Sequence, residues 1–94
     1  MSVSVMIPTA LRSYAGGNAS ISCLGDTVGE ALASLTEQHP GLANHLRTKD
    51  GKLRSFVNVY LGEEDIRYLD GEDTAVADGA TLTIVPSIAG GSWR

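Results

Sequence analysis

The chain has 94 residues, 43% of them hydrophobic and 19% charged, with a formal net charge of −4. That is one small domain, long enough to bury a core without metal or disulfide staples, and its acidic balance excludes non-specific nucleic-acid binding, which needs a basic surface. No apolar run approaches the roughly eighteen residues of a membrane span, and "MSVSVMIPTA" lacks the basic start and long apolar stretch of a secretion signal. The expected address is therefore cytoplasmic. The single cysteine, Cys23, has no partner for an internal disulfide, in keeping with a reducing compartment.

In "SVSVMIP" Val3, Val5 and Ile7 alternate with Ser2, Ser4 and Met6, the period of a strand with one buried face, and Pro8 ends it. A loop leads to Gly16, Gly17 and Asn18, a turn signal because these residues tolerate positive φ. "ASISCL" alternates again, with Ala19, Ile21 and Cys23 on one face. Over "DTVGEALASLTEQHPG" the period changes. Val28, Ala31, Leu32 and Leu35 make one helical stripe, opened by Thr27 and Glu30 at capping-box spacing and stopped by Pro40 and Gly41. Gly29, inside that helix, predicts a close approach to the sheet.

"GLANHLR" predicts another turn or two of helix. "KLRSFVNVYLG" predicts a long third strand, with Val57, Val59 and Leu61 on one face and Phe56, Asn58 and Tyr60 on the other. "GEED" reads as a solvated acidic turn and "IRYL" as a short strand. "DGEDTAVADGA" is turn-rich, reversing at Asp78-Gly79. "TLTIVP" is the last strand, with Leu82 and Ile84 facing away from Thr83 and Val85. One helix for one sheet, with the first and last strands parallel, is an α+β roll of the β-grasp kind: a mixed sheet of four to five strands covered on one face by one main helix. The expectation is a domain over residues 1–86 followed by a flexible tail, residues 87–94, that carries the diglycine.

The globule offers no catalyst. His39 and His45 are separated by Pro40-Gly41 and have no second cysteine with which to make a metal set; surface histidines is the simpler reading. Cys23 falls on the apolar side of its strand and behaves as a small hydrophobe. There is no nucleophile elbow of the G-x-S-x-G type and no phosphate loop leading into a helix. The expectation is no catalytic residue, no metal and no cofactor of its own.

That leaves "SIAGGSWR" at the end. Ser87, Ile88, Ala89, Gly90 and Gly91 are slender, and fully extended they reach about 17 Å past the last strand. Such a tail can enter a narrow active site, yet a pair of glycines by itself also describes an ordinary frayed end. The residues alone leave both open.

The β-grasp pattern, Val57-Asn58 in "FVNVY", the Asp78-Gly79 turn and "PSIAGG" from Pro86 together resemble the ubiquitin-like sulfur carrier proteins over residues 1–91, and most of all the carriers of cysteine biosynthesis. Ala80 departs from the family pattern, in which an acidic residue often follows the turn. The resemblance implies that the Gly91 carboxylate is adenylated by an ATP-using partner similar to the ubiquitin-activating (E1-like) enzymes and then converted to a thiocarboxylate. That group would hand its sulfur to a biosynthetic enzyme making cysteine, homocysteine or methionine, or another metabolite. Ser92-Trp93-Arg94 would cover that carboxylate. Some relatives carry a similar extension that a zinc metalloprotease of the JAMM type removes, which implies a precursor cut between Gly91 and Ser92.

The carrier would then be a protein co-substrate and not an enzyme; ATP and zinc would belong to its partners. The open sheet face beside the tail, with Met6, Pro8, Tyr60 and Val85, is the expected partner-docking patch. The resemblance also admits two other readings, the small subunit of molybdopterin synthase and a ubiquitin-like binding module or protein modifier. Neither nucleic acid nor membrane is an expected partner.

Overall fold

The computed structural model describes residues 2–86. Strands β1 (Ser2–Met6), β2 (Ser20–Leu24), β3 (Val57–Leu61), β4 (Glu64–Asp65) and β5 (Thr81–Pro86) make one sheet in the order β2-β1-β5-β3-β4. β1 runs antiparallel to β2 and parallel to β5, while β3 is antiparallel to both β5 and β4. The first and last strands thus lie side by side at the centre, and the long crossover between them carries helices α1 (Val28–Gln38) and α2 (Ala43–Leu46). This is the β-grasp fold, with a mixed five-stranded sheet and one main helix packed on it.

The alternation in the sequence becomes the two faces of the sheet. Val3, Val5, Cys23 and Leu82 are 0% exposed, and Ile7, Val59 and Ile84 are at most 2% exposed. The stripe of α1 joins them in one cluster, with Val28, Ala31 and Leu35 wholly buried and Leu32 nearly so. Each such aliphatic side chain contributes about 1.5–3 kcal/mol on leaving water, and together they hold α1 against the sheet.

The start of α1 is fixed by polar groups. Thr27 has extended backbone, and its Oγ1 accepts the Glu30 N–H at 3.2 Å. Glu30 returns its carboxylate to the Asp26 N–H at 2.9 Å, one residue earlier than the usual reciprocal cap. At the other end His39 closes the helix, and Pro40 leads into a single 3-10 turn before α2.

Several expectations are corrected. The stretch after Pro8 is a 3-10 helix, Thr9–Ala15, which buries Leu11 and Ala15 and ends at Gly16 with φ 64°. Ala19 precedes β2 and is exposed. The third strand is shorter than "KLRSFVNVYLG" implies: the Val57 N–H turns back to the Arg54 carbonyl at 3.0 Å, so pairing begins only at Val57. Phe56, outside the ladder, packs against the core and not on the open face. "IRYL" is no strand. β4 comes just before it, and Ile66–Tyr68 is a 3-10 turn because the Asp65 side chain caps the Arg67 N–H. Gly29 approaches Glu72 and not the sheet: a Cβ there would lie 3.2 Å from the Glu72 carbonyl oxygen.

The Asp78-Gly79 reversal does more than turn the chain. Gly79 has φ 84°. Its N–H donates to the Ser2 carbonyl at 2.8 Å, and the Asp78 carboxylate accepts the Ser2 N–H at 2.8 Å. The loop before β5 is thereby stapled to the beginning of β1, its parallel neighbour.

Candidate functional site

β5 is the middle strand, held on both sides, and its last pair is Val57 with Pro86. The tail residues Ser87, Ile88, Ala89, Gly90 and Gly91, and the Gly91–Ser92 bond, lie outside the described residues. What the structure places is the platform from which they leave.

On the open face, register sets the neighbours. Thr83 is opposite Met6 on one side and Tyr60 on the other, so Met6, Thr83 and Tyr60 form one row across three strands. Val85, opposite Asn58, stands in the next row toward the tail. Met6 is 37% and Val85 39% exposed, while Tyr60 is half-buried. Pro8 follows the end of β1, half-buried, and caps the 3-10 helix. This face therefore sets the apolar Met6 and Val85 among Thr83, Tyr60 and Asn58, and carries no charge in the row of Met6, Thr83 and Tyr60.

A charged pair that the sequence reading missed borders this row. Asp65 is the pairing partner of Tyr60. It is only 6% exposed, although its loop reads as a solvated acidic turn. Arg67 reaches back to it with Nη2 at 2.7 Å from Oδ2 and with Nε at 3.2 and 3.1 Å from the two oxygens; the Arg67 N–H adds a fourth bond at 2.9 Å. The side-chain bonds from Arg67, then its backbone N–H, hold the Asp65 carboxyl below the usual carboxylate range. The D-x-R spacing in "DIR" was the signal available.

Because the folded state lowers this pKa, the pair stabilises the fold fully above the unfolded carboxylate value, and the contribution is lost as the pH falls. The Arg67 side chain is 62% exposed, which keeps the effect modest. Arg67→Ala is expected to lower the melting temperature at neutral pH, and the gap from the parent is expected to close as the pH is taken below about 4. A gap that stayed constant down to acid pH in a thermal melt series would show that the pair contributes nothing.

The other candidate side chains are structural. His45 stacks on Tyr14 with ring centroids 4.1 Å apart; it and His39 are half-buried and not on the bare surface. Cys23 is buried, and burial pushes its thiol pKa up. Among the described residues no group of three or more His, Cys, Asp or Glu side chains could hold a metal ion, and no helix is long and apolar enough to cross a membrane. The outer edge of β2 is occupied by α1: Gln38 Nε2 donates to the Ser22 carbonyl at 3.1 Å, and the Ser34 hydroxyl accepts the Leu24 N–H at 3.4 Å. These bonds cover part of that edge against strand addition.

A β-grasp body whose central strand ends at Pro86, with a diglycine a few residues further along the sequence, is the pattern of a ubiquitin-like carrier domain. The chain belongs to the ThiS family, the ubiquitin-like sulfur carriers, which it matches over residues 5–91. The sulfur carrier protein CysO of Mycobacterium tuberculosis is 44% identical over 93 residues, covering 97% of this chain and 100% of CysO. The crystal structure of the Amycolatopsis orientalis BexX/CysO complex contains a chain 43% identical to this one, with a TM-score of 0.85 over 95% of this chain and 99% of that chain. Small archaeal modifier protein 3 of Haloferax volcanii is 40% identical over 65 residues, 69% of this chain and 70% of its own length.

Proposed function

We propose that this chain is the precursor of a sulfur carrier of the CysO type, whose working atom is the carbonyl carbon of Gly91. The observation that carries the reading is where the family match stops. It ends at residue 91, the second glycine, with Ser92-Trp93-Arg94 beyond it. Hydrolysis of the Gly91–Ser92 peptide bond, chemistry suited to zinc-bound water in a protease of the JAMM type, would free the carboxylate.

The chemistry that follows is dictated by that group. A terminal carboxylate with a pKa of about 3.5 is ionised at neutral pH and a poor electrophile. One of its oxygens must first attack the α-phosphorus of ATP on an E1-like partner, releasing pyrophosphate and forming an acyl-adenylate. A sulfur nucleophile then attacks the acyl carbon and AMP leaves, giving the thiocarboxylate. Its sulfur passes to a biosynthetic enzyme making cysteine, homocysteine or methionine, or another metabolite. The chain itself supplies reach and docking, with no cofactor of its own. A cytoplasmic setting, reducing enough to keep the Cys23 thiol and the thiocarboxylate from oxidation to disulfides, belongs to the same reading.

The test is intact mass. After a matched metalloprotease, the chain should lose Ser92, Trp93 and Arg94; after a matched adenylating enzyme with ATP and a sulfur source, one oxygen should be exchanged for sulfur at Gly91. A cut elsewhere, or a trimmed chain that never gains sulfur, would overturn it. The likeness to a small archaeal modifier protein supports a second reading, an isopeptide bond from Gly91 to a lysine, which would appear as a mass ladder without sulfur.

Docking is assigned to Met6, Pro8, Tyr60 and Val85. A glutamate at Val85 buries a charge in any partner that covers this face, and one partner-side cost of several kcal/mol is ample to weaken a complex. Val85→Glu is expected to slow adenylation at least about tenfold through KM, while far-ultraviolet circular dichroism stays that of the parent. Unchanged kinetics would remove the patch from the account.

A further inference from the structure

The sheet's second edge differs from that of β2. β3 pairs with β5 along its whole length but with β4 only at Tyr60 and Leu61. Two hydrogen bonds fix which backbone groups of β3 point outward. The Gly62 N–H donates to the Thr81 carbonyl at 3.1 Å, toward β5, whereas the Val57 N–H donates to the Arg54 carbonyl at 3.0 Å, away from it. Successive residues of a strand aim these groups to opposite sides, so the Val57 carbonyl and the Val59 N–H also face outward. The chain leaves the sheet at Ile66, where Asp65 caps a 3-10 turn. Before Tyr60, neither group has a strand beside it.

A cleft of about 300 Å³ lies along this stretch of edge. Besides β3 itself, it is lined by Leu53, Arg54 and Ser55 from the segment before the strand and by Ile66, Arg67 and Glu72 from the segment after β4. That volume is the lower limit of a small-molecule pocket and suits a few residues of extended chain better than a cofactor. Its charges are not alike. Arg67 is engaged by Asp65, and Glu72 by Arg47, whose Nη1 lies 3.2 Å from Oε2. Arg54 Nε donates at 2.8 Å to the Asn44 carbonyl, a neutral group. Among the described residues, Arg54 is thus the lining cation that meets no carboxylate, a local positive spot on a chain of net charge −4.

We propose that this edge takes up an extended, acidic segment of a partner protein as an added strand. Running in either direction opposite Asn58, the segment donates an N–H to the Val57 carbonyl and accepts the Val59 N–H. Cross-strand neighbours share a face, so the two residues flanking the one opposite Asn58 place their side chains over Val57, Val59 and Ile66, which are 6%, 2% and 3% exposed. Aliphatic side chains fit there, and a carboxylate at the Val57 end meets the Arg54 guanidinium. The main-chain bonds supply affinity, while the apolar floor and the cation select the sequence. An added strand lies in the plane of the sheet, beside β3, so this surface is separate from the open face of Met6 and Val85. It is also independent of the chemistry at Gly91.

The probe is the peptide acetyl-EVTVE-amide, which reads the same in both directions, titrated into the isotope-labelled full chain and followed by NMR. The Val59 amide proton is expected to move downfield as it gains an acceptor, and to exchange about tenfold more slowly once the peptide is at ten times its Kd; the amides of β2 stay in place. The neutral acetyl-QVTVQ-amide is expected to bind about fivefold more weakly, and Arg54→Gln to bring the two peptides to equal affinity. Ser55 is exposed and lines the cleft, so Ser55→Trp is expected to plug it and abolish binding of both; this variant serves where Arg54→Gln disturbs α2. An unmoved Val59 amide, equal affinity of the two peptides for the parent chain, or shifts confined to β2 or to the open face around Met6 would each overturn the proposal. So would protection of Val59 in the concentrated chain alone that is lost on dilution, the mark of a second copy at this edge. Sulfur loading is read separately by intact mass, so either reading can fail without the other.

Discussion

Ending the trimmed chain at Gly90 is expected to lower sulfur loading by about a hundredfold or more, even though the new terminus is still a glycine carboxylate. The reason is mechanical. β5 is held by β1 and β3, and its final pair is Val57 with Pro86, so the strand cannot slide to lend a residue to the tail. Losing one residue withdraws the carbonyl by about 3.4 Å, several times the misplacement that already costs an enzyme two orders of magnitude. The comparison should be made by intact mass at equal concentrations of activating enzyme, with Gly91 as the reference terminus. Equal loading at Gly90 would mean that reach is not what the tail provides.

Leu82→Ala is expected to cost about 2–5 kcal/mol of folding stability, the range for truncating a fully buried leucine, and so a large share of the roughly 5–15 kcal/mol that a domain has in total. Leu82 is 0% exposed and lies between Val5 of β1 and Leu61 of β3, at the point where the first and last strands meet. A hole there loosens both ladders that hold β5. Val85→Ser, three residues on and 39% exposed, is expected to change stability by no more than about 0.5 kcal/mol. Urea titration separates them: the midpoint should fall for Leu82→Ala with the slope unchanged. A loss below about 1 kcal/mol would place Leu82 outside the core.

Periodicity made most of the fold legible. Val3, Val5 and Ile7, the stripe from Val28 to Leu35, and Leu82 with Ile84 are each repeated often enough to define a face, and all are buried as their spacing predicts. What escaped was decided by single contacts. Leu11 and Ala15 offer one helical repeat only, too little to announce a 3-10 helix. "IRYL" has strand-forming residues, yet the Asp65 cap turns it into a 3-10 turn. The hydrogen bond from Val57 to Arg54 trims the third strand, and nothing local in the sequence records it. Gly29 signalled a close approach correctly, but which neighbour it meets, Glu72, is set by how the chain returns after β4. For the site, the open-face row of Met6 and Tyr60 follows from alternation. The diglycine was legible as a pattern, and its chemistry came from resemblance, since a glycine pair has no side chain to declare a role.

The sealed position of Cys23 has a practical corollary. With its thiol wholly buried and its proton held more tightly than usual, the folded body presents no accessible soft nucleophile of its own; the thioethers of Met1 and Met6 do not compete as thiolates do. Any sulfur anion installed at residue 91 would then stand alone toward alkylating reagents. Loaded and empty carriers could be told apart by one labelling step on the native protein, without mutating the cysteine first.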